Sequence, residues 1–204
     1  PIFTAGAALA FIAASSAFGF LNANWWPLIL STPVLAWIAL YSFTKRFTAL
    51  CHVFLGSALA ISPIAAAIAV DPAALGRTPA LFFIAGMVLL WVAGFDVIYA
   101  LQDVAFDRDA GLYSVPSRLG VGRAIWISRA LHAGAFALLV AAATIEPRFG
   151  LMFGAGVAAV GVLLVTEHAV LAKRGEAGLE MAFFTLNGIV SCVLGAAGVI
   201  DLMT

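Results

Sequence analysis

Between Pro1 and Thr44 there is no charged side chain at all. A soluble domain, with about a quarter of its residues charged, cannot present such a run to water. At roughly 20 apolar residues per membrane helix, it is long enough for two crossings. Further runs with little or no charge follow at 49–70, 78–95, 130–145, 149–166 and 181–200. Charged residues are 10% of the chain and hydrophobic ones 64%. The pattern specifies an all-α, polytopic transmembrane helix bundle, and it lacks the alternating polarity of an outer-membrane barrel.

Asn22, Asn24, Trp25, Trp26 and Pro27 interrupt the opening run and read as a turn flanked by interfacial aromatics. Helices are therefore expected near 2–22, 27–43, 48–70, 79–102, 122–144, 149–172 and 180–202, seven predicted spans in a single domain over 1–204. Pro33 and Pro63 are expected to kink or start helices. Gly150-xxx-Gly154 reads as close helix packing. Lys45, Arg46, Arg108, Arg118, Arg123, Lys173 and Arg174 fall on one side of this topology, against Arg77 and Arg148 on the other. Seven against two places the Lys45, 103–123 and 173–180 loops in the cytoplasm.

Net charge is zero, which excludes nucleic acid as a partner and leaves the lipid bilayer as the surroundings. Cys51 and Cys192 have no ligand-like spacing and read as small buried hydrophobes. His52, His132 and His168 stand isolated in apolar surroundings and read as packing or interhelical hydrogen-bonding groups.

Residues 94–109, GFDVIYALQDVAFDRD, break the pattern by holding four of the chain's six aspartates. On a continuing helix, Asp96, Tyr99, Asp103 and Asp107 share one face. An ionised aspartate as deep as Asp96 costs several kcal/mol unless paired or metal-bound. No lysine is near in sequence, so Mg²⁺ is the expected partner. It takes one or two carboxylates together with phosphate oxygens. The acids cluster at one membrane edge, with no internal repeat, which argues against a secondary transporter.

Asp96-x6-Asp103-x3-Asp107 resembles the second aspartate-rich motif of the UbiA superfamily of intramembrane aromatic prenyltransferases. GLYSVPSRLG (111–120) is similar to the family's following segment, YSFTKR (41–46) to its Y-[ST]-x-x-K-R turn, and Leu21-Asn22 to a recurrent pair. The resemblance implies a nine-helix bundle with a cavity open to the membrane. It implies transfer of a prenyl group from a polyprenyl diphosphate to an aromatic acid acceptor. Asp96, Asp103 and Asp107 are then the Mg²⁺ and diphosphate residues, and Tyr99 lines the pocket. Lys45, Arg46, Arg108 and Arg118 are candidates for the diphosphate, and Ser114 sits beside the motif.

The details lean to the bacterial 4-hydroxybenzoate branch, with 1,4-dihydroxy-6-naphthoate as rival acceptor. These acceptors imply ubiquinone or menaquinone biosynthesis at a bacterial inner membrane. The family's first motif, N-D-x-x-D-x-x-x-D, is not in this sequence, whose first helix matches the family's third. The chain is therefore expected to lack two helices before Pro1.

Overall fold

The computed structural model describes residues 2–179 and 185–203, and every regular element among them is helical. The long helices are α1 (Ile2–Asn22), α2 (Trp26–Thr44), α3 (Cys51–Val70), α5 (Ala80–Tyr99), α8 (Val121–Ile145) and α9 (Leu151–Arg174). Short helices α4 (Ala74–Arg77), α6 (Val104–Asp109) and α7 (Val115–Leu119) lie in the connections, and α10 (Asn187–Met203) closes the chain. Among the described residues six helices are long and apolar enough to cross a bilayer, while α10 has 17 residues and is apolar but shorter. The expected span at 180–202 corresponds to α10, and residues 180–184 lie outside the described residues.

Chain turns follow their residue chemistry. After Asn22, Ala23 takes a left-handed conformation (φ 54°). Asn24 then ties the turn down: its Nδ2 donates to the Ile68 and Ala69 carbonyls (2.7 and 3.2 Å), and its Oδ1 accepts from the Trp26 amide. Pro33 and Pro63 lie inside α2 and α3, so neither starts a helix.

Helix α5 is central and packs against α3 and α8. Two glycines set those approaches. A Cβ at Gly56 would stand 2.2 Å from the Leu89 carbonyl oxygen, and one at Gly94 would stand 2.3 Å from the His132 ring. Only glycine lets the helices come this close, which is how small residues hold membrane helices together where lipid gives no hydrophobic drive. Ser128 Oγ adds a hydrogen bond to the Gly94 carbonyl at 2.8 Å. One apolar core gathers Met87, Leu139, Phe153, Val160 and Val190. A second, nearer the basic loops, joins Val97, Ile98, Leu101, Ala124, Leu171 and Leu179.

Two small-residue expectations change. Gly154 faces outward with open space around it, and Gly156 is instead the buried glycine, its Cβ position 3.0 Å from the Ala197 methyl. Cys51 is buried, but Cys192 is exposed on α10.

The two ends of the bundle are polar in different ways. One carries the turn after α2, the 100–119 connection and the end of α9. The other carries Asn24, the Asp71–Arg77 pair, and Glu146 with Arg148 (2.7 Å). It also carries Asp201, whose carboxylate accepts from the amides of Gly150, Met152 and Phe153 at 2.7, 3.3 and 2.7 Å. Asp201 thereby caps the N-terminus of α9 from α10, satisfying amides that a helix start leaves open.

Candidate active site

The acidic stretch does not run as one α-helix. After Tyr99 the winding tightens into a 3-10 helix over Ala100–Asp103 before α6 resumes. A 3-10 helix turns about 20° more per residue than an α-helix, so four residues rotate the following face by about 80°. The turn rotates Asp103 and Asp107 together relative to Asp96; Asp96, Tyr99 and Asp103 line one cavity, and Asp107 lies one α-helical turn beyond Asp103, outside that lining.

That cavity has a volume of about 210 Å³ and is lined by Tyr41, Ser42, Lys45, Cys51, His52, Asp96, Tyr99, Ala100 and Asp103. Its walls come from α2, α3, α5 and the 3-10 turn. Close packing at Gly56 brings α3 and α5 together and so sets its width.

Lys45 is the cation that sequence proximity did not reveal. Its Nζ lies 2.8 Å from Asp107 Oδ1 and 3.5 Å from Asp103 Oδ2, across 58 and more residues of chain. Asp107 is completely buried, and its Oδ2 accepts a 2.7 Å hydrogen bond from Ser114 Oγ. Lys45 is the sole partner of Oδ1 among the described residues. Asp103 borders the cavity, and Asp107 sits outside its lining, beside Lys45. Burial opposes the Lys45 charge, but the hydrogen bond and attraction of Asp107, with those of Asp103, outweigh it and hold its pKa above 10.5.

The 107–119 connection is built to keep this arrangement. Ser114 caps α7 in a capping box with Ser117, and its hydroxyl also reaches Asp107. The Tyr113 amide donates to the Lys45 carbonyl at 2.7 Å, tying this segment to the end of α2.

The other expected diphosphate groups lie outside the cavity wall. Arg46 stands over the Phe43 ring, and Arg118 stacks on Tyr113 at 3.6 Å. Arg108 Nε donates to the Ser117 carbonyl at 3.3 Å. Arg108 and Arg118 share a smaller cleft with Asp107, Gly111, Leu112 and Ser117.

Asp96 meets His52, whose Nδ1 lies 2.7 Å from Asp96 Oδ2. The expectation that His52 makes an interhelical hydrogen bond holds, and its partner is the deepest carboxylate of the motif. His132 and His168 meet each other at 3.1 Å, next to Glu167, which is 1% exposed and 4.0 Å from His132. Glu167 carries no motif or spacing that singles it out in the sequence.

Asp96 and Asp103 fit a hard divalent cation by donor chemistry, since both present carboxylates to the cavity. Among the described residues no three His, Cys, Asp or Glu side chains converge on one point. Asp96 and Asp103 would be a partial ligand set, to be completed by phosphate oxygens and water. Asp107 lies outside the cavity lining, with Lys45 and Ser114 beside its carboxylate.

A model of the UbiA prenyltransferase family matches residues 2–189. The chain is 30% identical over 184 residues to a 4-hydroxybenzoate octaprenyltransferase from Nitrosomonas eutropha, covering 89% of this chain and 61% of that protein. A shorter stretch of 55 residues, 27% of this chain, is 44% identical to a C(50) beta-cyclic carotenoids biosynthesis protein from Dietzia sp., covering 13% of it. The apo structure of a UbiA homolog from Aeropyrum pernix K1 superposes with a TM-score of 0.83 at 30% identity, covering 97% of this chain and 70% of that one. The chain spans about three-fifths of the length of the curated relative from Nitrosomonas. A match over almost every described residue, in sequence and in fold, means that the chain belongs to the UbiA prenyltransferase family.

Proposed function

We propose that the protein transfers a polyprenyl group from its diphosphate to an aromatic acid in quinone biosynthesis, with 4-hydroxybenzoate as first acceptor. The polar cavity that carries the reaction faces the cytoplasm of a bacterial inner membrane, as the positive-inside bias of its loops supports.

The observation behind this reading is the charge around the cavity. Asp96 and Asp103 in the cavity wall, with Asp107 behind it, outnumber the single nearby cation Lys45 by two. A diphosphate alone would be repelled there; a diphosphate carrying divalent cations would not. Mg²⁺ would be held by Asp96 and Asp103 and, when bound, would neutralise charge developing on the leaving diphosphate. Lys45, fixed by Asp107 and Ser114, presents a positioned ammonium to the same leaving group. Tyr41 and Tyr99 border the cavity, where an aromatic ring can stabilise the allylic cation left on the prenyl carbon. The acceptor's electron-rich ring carbon attacks that cation and then loses its proton.

The test uses the full-length protein in proteoliposomes with a polyprenyl diphosphate and, in parallel, 4-hydroxybenzoate or 1,4-dihydroxy-6-naphthoate. Transfer to the benzoate that stops on chelating Mg²⁺ is expected, with a loss of at least ~10²-fold in Asp103→Asn. Preference for the naphthoate would move the enzyme to menaquinone biosynthesis with the same chemistry. Full Mg²⁺-dependent turnover in both Asp96→Asn and Asp103→Asn would refute the reading.

A further inference from the structure

His52 is 2% exposed at the cavity wall, and both of its ring nitrogens are engaged. The Val115 amide donates to Nε2 at 3.2 Å. A ring nitrogen that accepts a hydrogen bond carries no proton, so the single proton of the neutral imidazole is on Nδ1. It is therefore donated to Asp96 Oδ2, 2.7 Å away. The ring is locked from two sides, because Val115 opens α7 immediately after the Ser114 cap. Three separate pieces of chain, α3, α5 and α7, meet at this imidazole.

A neutral donor is the suitable partner for a carboxylate that must bind a cation. Lys45 competes with any cation for Asp103, because it brings a positive charge of its own. The imidazole of His52 brings none: it fixes one oxygen of Asp96 and leaves the negative charge and the second oxygen available. A donor of this kind orients the carboxylate that would hold the metal, and such outer partners are part of a metal site's design.

We propose that His52 is a positioning residue for prenyl transfer, holding Asp96 through a neutral Nδ1–H donor so that the carboxylate is preset for the cation-bound diphosphate. The proposal rests on the assignment of Asp96 to diphosphate binding.

The experiment measures calorimetric binding of Mg²⁺ with a non-hydrolysable prenyl thiodiphosphate to the full-length protein, alongside turnover. His52→Leu, which removes both hydrogen bonds, is expected to weaken Mg²⁺-dependent binding of the analogue about 10–100-fold. It should also raise the Mg²⁺ concentration for half-maximal turnover. His52→Asn, whose amide stands near the Nδ1 position and keeps the donor to Asp96, should recover binding to within a few-fold, which a folding defect at this site would not allow. In an Asp96→Asn background, His52→Leu should add nothing. Wild-type binding by His52→Leu, or the same loss in both backgrounds, would overturn the proposal. Wild-type binding by Asp96→Asn alone would instead overturn the assignment of Asp96, a separate and recognisable result.

Discussion

Replacing Lys45 with methionine isolates the contact that organises the site. The change keeps most of the side-chain length and removes the ammonium between Asp103 and Asp107. The two carboxylates respond differently. Asp103 is 42% exposed with Lys45 at 3.5 Å, so water replaces most of that interaction and its loss costs under about 1 kcal/mol. Asp107 is 0% exposed, with Lys45 at 2.8 Å and Ser114 left as its only other partner among the described residues. Removing one member of a buried pair strands the other charge, at a cost of about 3–5 kcal/mol. Lys45 itself is 31% exposed, which places the expected loss at the lower end, about 3 kcal/mol. At roughly 2–4 °C per kcal/mol for a chain of this size, the thermal midpoint in detergent should fall by about 6–12 °C. Asp103→Asn should move it by no more than about 2–4 °C. The double variant Lys45→Met/Asp107→Asn should recover much of the loss, because no buried charge is then stranded. Equal midpoints for Lys45→Met and Asp103→Asn, or no recovery in the double variant, would show that Asp107 does not depend on Lys45.

Gly56→Ala should be among the most damaging single-methyl additions in the chain, since its Cβ meets the Leu89 carbonyl at 2.2 Å and backbone cannot step aside. A loss of about 1–3 kcal/mol is expected, read as a lower thermal midpoint, while Gly154→Ala, with open space, should leave it unchanged. The Lys45 pair should be insensitive to pH from neutrality upward until the ordinary lysine value of 10.5 is passed. A raised folded pKa keeps its contribution intact below 10.5 and loses it only as pH climbs through the raised value. Glu146 runs the other way: the hydrogen bond from Arg148 holds its carboxyl below 4.5, so its contribution is present above that pH and fades as acid carries it through the lowered value. Melting curves of wild type and Glu146→Gln should therefore converge toward low pH.

Much of this architecture is legible in the residues. The charge-free runs locate the helices to within a few positions, and the Asn24–Trp26 turn, the basic loops and the placement of Asp96, Tyr99 and Asp103 on one wall all follow from spacing. What spacing misses is of two kinds. The 3-10 turn at Ala100–Asp103 rotates Asp103 and Asp107 together relative to Asp96, and nothing in ALQD marks it as other than helical. The second kind is pairing across sequence. Lys45 with Asp107, and His52 with Asp96, depend on how closely α2, α3 and α5 approach, and Gly56 opposite the Leu89 carbonyl sets the α3–α5 part of that approach in three dimensions. Lys45 and His52 thus look like a loop charge and an isolated histidine until the helices are assembled. The same holds for Glu167, whose neighbour His132 comes from a different helix.

The carboxylate that α10 lends to the start of α9 makes α10 a latch. Without Asp201 the amides of Gly150, Met152 and Phe153 would be left to water, since a helix start has no acceptor of its own. About fifty residues separate the cap from the helix start it serves, so α9 gains its full set of hydrogen bonds only once α10 has folded back beside it.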